Sequence, residues 1–429
     1  MLSASKSDAA PSESAGSRTT APTLKLLAVM EPKTVTGAAK NMLDFCRFAR
    51  DLKNESPDAP TIETSIVTFE RGPGFAGRDA HLSQPGDEKS APLLTGPPNE
   101  FVQAARALGL EVDIIPERFR FDLRVISGLR ESIERRSPDI VLTHHVKSHF
   151  LMKLSRLWQK YPWVAFHHGY TKTQVRELLY NRLDRLSLPT ARRVVTVCQA
   201  FADELASAGV PPERISVQHN SIGREPTAGA EEVRALKEGF GIKEDERVVL
   251  AIGRLSSEKA HIDLLAAFRH LLAADADLKA KLIIVGDGPE RNRLEAAAAS
   301  EGINERIIFA GQISNVKPYY AAADALALPS HSEGSPYVLL EAMAAGLAIV
   351  ATTVGGVPEM VEDEASALLV PARNPEAMAK AISRVLTEAG LARRLAINAS
   401  ALIATRYSPE TYVRSLTGIY REVISTAAG

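Results

Sequence analysis

Two kinds of segment alternate along most of the chain: short apolar runs bounded by turn residues, and longer stretches whose apolar positions recur every three to four residues. The first kind reads as buried strands and the second as amphipathic helices, so the pattern predicts parallel sheets covered by helices. In the first half, strands are expected at Leu24 to Met30, Ile62 to Phe69, Val112 to Ile115, Ile140 to Thr143, Trp163 to His167 and Arg193 to Val197. Helices are expected at Ala38 to Asp51 and Phe101 to Gly109. The stretch from Arg71 to Pro98 is dense in Gly, Pro and Asp and reads as a long loop or insertion with little core.

A second series starts after Gly223. Arg224 to Glu232 is polar and turn-rich, and new strands follow at Val248 to Ile252, Leu282 to Val285, Ile307 to Ala310, Ala325 to Leu328, Ala348 to Ala351 and Ala367 to Val370. Each leads into a helical pattern. The expected fold class is therefore α/β, with two Rossmann-like, doubly wound parallel-sheet domains facing a cleft. The bounds read as a disordered tail at 1–22, an N-terminal acceptor-side domain at 23–223, a C-terminal ligand-binding domain at 224–405, and a helical segment at 406–429 that packs back on the first domain. In open α/β sheets ligands bind beyond the carboxyl ends of the strands, so the chemistry belongs in the loops that follow them.

Composition agrees with two soluble domains. A chain of 429 residues with 45% hydrophobic and 24% charged residues is globular, and no apolar run approaches the roughly 20 residues that span a bilayer. Residues 1–22 are rich in Ser, Ala and Thr and lack the basic start and apolar run of a secretory signal. Cys46 and Cys198 stand far apart without metal-ligand spacing, and read as buried small apolar residues in a reducing compartment. Together these features point to the cytoplasm. The net charge of −1 hides a basic stretch from Lys147 to Arg193, in which ten Lys and Arg face only Glu177 and Asp184 among seven aromatic residues. It reads either as a peripheral contact with an anionic membrane face or as an ordinary mixture of core aromatics and solvated charges. With so little net charge and no nucleic-acid-binding module, nucleic acid is not an expected partner.

The richest motif is Ser332-Glu333-Gly334-Ser335-Pro336-Tyr337-Val338, continuing through Glu341, at a loop-to-helix junction. Pro336 suits a first helical turn, whose free N–H groups and dipole favour a phosphate, while Glu341 is placed to accept hydrogen bonds from hydroxyls. Gly253-Arg254-Leu255-Ser256-Ser257-Glu258-Lys259 follows a strand directly. Its arginine and lysine suit a diphosphate leaving group, unless Glu258 simply neutralises Lys259. Gly286-Asp287-Gly288-Pro289 looks like half of a dinucleotide fingerprint, but Arg291 occupies the third glycine position, so the glycines read as a structural turn. His144, His145, His167 and His168 close two strands; with no carboxylate at ligand spacing they do not read as a zinc site. Asp275-Ala276-Asp277 precedes a strand and reads as a solvated connection.

The motifs from Gly253 to Glu341, with Ala345-Gly346, Thr353 to Glu359 and Leu369-Val370-Pro371, resemble the retaining GT-B-fold enzymes of glycosyltransferase family four. The first half is similar more loosely, through Thr36-Gly37-Ala38, His168-Gly169, Val197-Cys198-Gln199 and Asn220 to Gly223. The resemblance implies a nucleotide diphosphate sugar, UDP- or GDP-linked, as donor, a glycan or lipid-linked acceptor, and no metal or other cofactor. It implies that Gly253, Arg254, Lys259 and the backbone of Ser335, Pro336, Tyr337 and Val338 hold the diphosphate, with Gly37 beneath it. Glu341 takes the ribose, Ile313 the base through main chain, and Glu333 and His168 the transferred sugar. The sequence departs from the pattern at Ala260 and Gly223, where the family often has glycine and aspartate, and in having a single glycine at Gly37. Two other readings stay open at this stage: a nucleotide-sugar epimerase on the same fold, and a binding protein without turnover.

Overall fold

Leu26 and Ala28 turn to one side of the first sheet and Leu27 and Val29 to the other, and all four are buried. A strand whose side chains are buried on both faces belongs inside a parallel sheet covered by two helical layers. The computed structural model describes residues 23–427 apart from Thr36, Pro57, 72–97, 120–121, 170–174, 224–227 and the side chains of 175–179. The expected tail at 1–22, most of the Arg71–Pro98 loop and the chain entering the second domain at Arg224 lie outside the described residues.

The first sheet joins β1 (Leu24–Val29), β2 (Ile62–Glu70), β3 (Glu111–Pro116), β4 (Ile140–Thr143), β5 (Trp163–His167), β6 (Arg193–Thr196) and β7 (Ile215–Val217) in the order β3-β2-β1-β4-β5-β6-β7, all parallel. Its helices are α1 (Ala38–Glu55), α2 (Glu100–Ala107), α3 (Val125–Arg136), α4 (Val146–Leu154), α5 (Val175–Ser187) and α6 (Gln199–Ser207). The second sheet joins β8 (Arg247–Ile252), β9 (Ala280–Val285), β10 (Ile307–Gly311), β11 (Ala325–Leu328), β12 (Ala348–Thr352) and β13 (Leu368–Val370) in the order β10-β9-β8-β11-β12-β13. Around it lie α7 (Ala230–Gly239), α8 (His261–Ala274), α9 (Arg291–Ser300), α10 (Lys317–Ala322), α11 (Tyr337–Ala344), α12 (Val357–Met360), α13 (Pro375–Thr387) and α14 (Leu391–Thr405).

The sequence pattern located every strand except β7, three half-buried residues at the edge of the first sheet that carry no buried apolar run. Strand order reverses direction between β1 and β4 and again between β8 and β11. Those two switch points open crevices at the carboxyl ends of the sheets, and the Gly253–Lys259 and Ser332–Glu341 motifs follow β8 and β11, the two strands that flank the second of them.

The last helix, α15 (Pro409–Ser425), leaves the second sheet and packs on α1, with Tyr412 and Tyr420 edge-on to Phe45. The chain thus crosses between the sheets twice. The crossings are tied together by Ser221 Oγ donating to the Tyr407 carbonyl at 2.8 Å and by the Ile222 N–H donating to the same oxygen at 3.3 Å. An added Cβ at Gly223 would lie 3.1 Å from the Phe48 ring, so a side chain there would need that ring to shift slightly.

Candidate functional site

Pairing of β8 with β11 sets their two following loops side by side. Lys259 Nζ, on the first loop, donates to Glu333 Oε1 on the second at 2.7 Å, and Ser330 Oγ donates to that same oxygen at 2.6 Å. Glu333 is 6% exposed, so this carboxylate is nearly withdrawn from water and held between a cation and a hydroxyl. Glu258 does not neutralise Lys259. Its carboxylate takes the Ser256 hydroxyl at 2.6 Å, while its carbonyl receives the His331 N–H at 2.8 Å. His331 in turn meets Asp263 Oδ2 at 2.7 Å, a further tie between the loops, with α8 as the anchor. The Arg254 side chain is exposed.

Ala260 adopts φ 51°, ψ 35° just before α8. The left-handed region costs a non-glycine residue about 1–2 kcal/mol, which explains why glycine is common at this point of the family pattern. Two close approaches need glycine. Gly355, at φ 51°, would put a Cβ 1.8 Å from the Glu333 carbonyl oxygen, and Gly286 would put one 2.0 Å from that of Gly253. The Gly286-Asp287-Gly288 turn therefore holds the Gly253 loop in place, as the structural reading of those glycines anticipated.

Helix α11 begins one residue later than expected. Pro336 is its extended N-cap, at φ −69° and ψ 125°, and Tyr337 and Val338 are the first helical residues, whose N–H groups have no partner within the helix. One turn on, Glu341 Oε2 accepts a 2.8 Å hydrogen bond from the Tyr320 hydroxyl. Ile313 lies two residues past the end of β10, half-buried against the core.

From the other domain, Gly37 caps α1 at φ 51° with open space where a Cβ would be. Lys40 on α1 sits over the Tyr337 ring, 4.7 Å from its centroid. A buried amide chain joins the halves: Asn41 Nδ2 donates to Asn220 Oδ1 at 2.7 Å, and Asn220 Nδ2 donates to the Ser335 carbonyl at 2.6 Å. His168 follows β5, with its Nε2 3.5 Å from His144 Nδ1, and His144 stacks on Phe166. Burial first, and then the charges of neighbouring imidazoles, lower the His168 pKa to about 3. Phe201 bridges the cleft: its Cε2 would lie 2.6 Å from a Cβ at Gly169 and 2.9 Å from one at Gly334. His168 and Glu333 are thus each one residue from the same ring. Gln199 N–H also donates to both Glu359 oxygens, at 2.8 and 3.0 Å, so a C-terminal-domain carboxylate caps α6.

Sequence reasoning missed Phe201, Tyr320, Ser330, His331 and Asp263, because their significance lies in contacts between segments distant along the chain. Part of the Lys147–Arg193 stretch is core. Lys147 is buried, 3.3 Å from Glu31 and paired with Glu117; Trp163 is fully buried and donates to Thr143 Oγ1 at 2.8 Å; and Phe166 is core. Those aromatics are not at a surface, and Tyr170 lies outside the described residues. Asp275 to Asp277 forms the connection between α8 and β9, with the Asp277 N–H on Asp275 Oδ1 at 3.1 Å. Among the described residues no helix is long and apolar enough to cross a membrane, and no cluster of three or more His, Cys, Asp or Glu could hold a metal ion.

Two family descriptions divide the chain as the sheets do: "Glycosyl transferases group 1" matches residues 232–401 and "Glycosyltransferase Family 4" matches residues 81–225. The chain belongs to this glycosyltransferase family. An uncharacterised glycosyltransferase of Methanocaldococcus jannaschii is 29% identical over 56% of the chain and 62% of its own length. The N-acetyl-alpha-D-glucosaminyl L-malate synthase of Bacillus anthracis is 26% identical over 71% and 80%. The alpha-D-kanosaminyltransferase of Streptomyces kanamyceticus is 32% identical over 56% and 63%. The matched region thus spans less than two thirds of the first and third of these relatives. Anabaena HepE, solved in complex with UDP, superposes with a TM-score of 0.74 at 18% identity, over 93% of this chain and all of that one. Sucrose-phosphate synthase of Thermosynechococcus elongatus gives 0.70 at 18%, over 94% and all of it. These likenesses establish the GT-B fold.

Proposed function

We propose that the protein transfers a sugar from a UDP- or GDP-linked donor to a hydroxyl group of a glycan or lipid-linked acceptor, with retention of configuration. The observation that carries this reading is the Lys259–Glu333 pair beside the N-terminus of α11, built from two loops at a switch point. A cation and free backbone N–H groups converge where a diphosphate leaves, and a buried carboxylate lies where the sugar departs.

Arg254, Lys259, Gly253 and the backbone at Ser335 to Val338 hold the diphosphate, with Gly37 beneath it. Glu341 binds the ribose, Ile313 the base through main chain, and Glu333 and His168 the sugar. The bond from the anomeric carbon to phosphate oxygen breaks with its electron pair going to the phosphate. The acceptor oxygen attacks the same face and gives its proton to a donor phosphate oxygen, so no metal is required. His168, held neutral, donates to or accepts from a sugar hydroxyl without carrying charge. Closure of the cleft keeps water from the reacting sugar.

The test is product analysis with UDP- and GDP-sugars, with and without acceptor. Nucleotide released only as acceptor is consumed supports the transferase, whereas an altered nucleotide sugar supports an epimerase and overturns it. Lys259→Ala weakens donor binding by about 1–3 kcal/mol, the scale of one charge-assisted hydrogen bond; unchanged binding sinks this placement.

The cytoplasm, at the inner face of the membrane, suits a lipid-linked acceptor. With Trp163 and Phe166 in the core, peripheral contact falls to the exposed Arg156, Lys160, Arg182 and Arg185 beside exposed Leu154 and Leu186. Co-sedimentation with phosphatidylglycerol vesicles, absent with phosphatidylcholine, supports that contact; none with either rules it out.

A further inference from the structure

Glu341 binds nothing by being present; its carboxylate must face the ligand with the correct oxygen. A glutamate on the exposed side of a helix has three rotatable bonds, and ordering it costs rotamer entropy each time a ligand arrives. Here that freedom is removed in advance. Tyr320 lies on α10, before β11, and Glu341 lies on α11, after it, so the two helices that flank one strand bring the residues together. The Tyr320 ring is part of the core formed with Tyr319, Leu339, Leu340 and Met343, and is only 5% exposed. Its hydroxyl reaches Glu341 Oε2 at 2.8 Å. The Val338 carbonyl is 3.5 Å from the same hydroxyl, at the outer limit of contact, so the proton goes to the carboxylate. Among the described residues no donor reaches Glu341 Oε1. Burial and the adjacent carboxylate keep the phenol protonated well above its ordinary range, so it is a permanent donor near neutral pH.

We infer that Tyr320 is a positioning residue for the nucleotide: by fixing Oε2 it aims Oε1 at the sugar hydroxyls of the nucleoside and makes the site select ribonucleotides over nucleotides that lack those hydroxyls. The inference rests on the donor reading above and deepens it. A site built to receive a hydroxyl rejects the analogue lacking it, because the carboxylate is then left desolvated without a donor. That rejection is sharp only when the carboxylate cannot swing away, which is what the phenol prevents. A phenylalanine at 320 would keep the ring in the core while releasing Glu341.

The test compares binding of UDP and GDP with that of their 2′,3′-dideoxy counterparts, by calorimetry, in the full chain. Wild-type protein is expected to prefer its ribonucleotide by ten-fold or more. Tyr320→Phe is expected to weaken that ribonucleotide five- to twenty-fold and the dideoxy counterpart less than two-fold, so that most of the preference is lost. Because Tyr320 acts through Glu341, the double variant Tyr320→Phe/Glu341→Ala is expected to bind no more weakly than Glu341→Ala alone. Equal weakening of ribo and dideoxy nucleotides overturns the assignment and leaves the donor reading intact, since it marks a packing role. So does an unchanged ribonucleotide affinity in Tyr320→Phe. Wild-type protein that binds neither nucleotide overturns the donor reading itself, and the assignment with it.

Discussion

His144, His145, His149, His167 and His168 crowd the carboxyl ends of β4 and β5, and one buried carboxylate serves two of them: Asp184 meets His149 Nδ1 at 2.6 Å and His167 Nδ1 at 3.5 Å. Burial and the mutual repulsion of the rings lower His144 well below its ordinary range, His145 to about 4 and His168 to about 3. Burial opposes ionisation of Asp184 too, but the two imidazoles outweigh it and hold its carboxyl below the usual carboxylate range. The sign of the pH effect follows. A folded-state pKa below the unfolded value, near 6.5 for histidine, means that the unfolded chain takes up protons first as pH falls. The three lowered histidines contribute their full stability above about pH 6.5 and lose it as pH falls toward 4 and 3; the Asp184 share is lost only below about pH 4. Urea midpoints are therefore expected to hold level above pH 7 and to fall steadily from 6.5 to 4.5. Transfer by His168 is expected to show no acid limb near 6.5. An NMR titration of the His168 ring with a midpoint near 6.5 would contradict both. The sequence placed four of these histidines at strand ends, but not the Asp184 link, because the aspartate arrives from a helix 35 residues beyond His149 and leaves no local signature.

At the scale of elements, the strands and the loops after them were legible because parallel strands buried on both faces are continuous apolar runs, and switch-point loops must carry the chemistry. What lay beyond reading was how elements meet. The amide chain from α1 through Asn220 to the α11 loop is one such meeting, and it has a measurable weight. Asn220→Ala takes the Asn220 acceptor from the Asn41 amide and the side-chain donor from the Ser335 carbonyl, both in residues under 10% exposed. Each buried orphan costs about 1–3 kcal/mol, so a loss of roughly 2–4 kcal/mol is expected in urea unfolding. A loss below about 1 kcal/mol would mean that water or a shifted side chain replaces the bridge. The Pro336 shift belongs here as well: a proline suits the first turn or the cap equally in sequence, and only its ψ of 125° decides for the cap. Likewise, the basic run from Lys147 was countable, whereas the burial of Lys147 between Glu31 and Glu117 was not, since those partners lie just past the ends of β1 and β3.

For the molecule as a whole, the contacts between the two halves among the described residues include Phe201 against Gly334, Lys40 over Tyr337, Glu359 on the end of α6 and Asn220 on Ser335. All lie along the cleft, next to the candidate site, while the paired crossings at Ser221 and Tyr407 form its back. The placement of α15 has a consequence of another kind, for the order of events during synthesis. Tyr412, Val413, Leu416, Tyr420 and Val423 belong to the core around β1 and α1. A ribosome has to finish the second sheet before those side chains emerge. The part of the protein made first is thus sealed last, and an incomplete nascent chain presents the bare face of α1 to whatever chaperone waits at the exit tunnel.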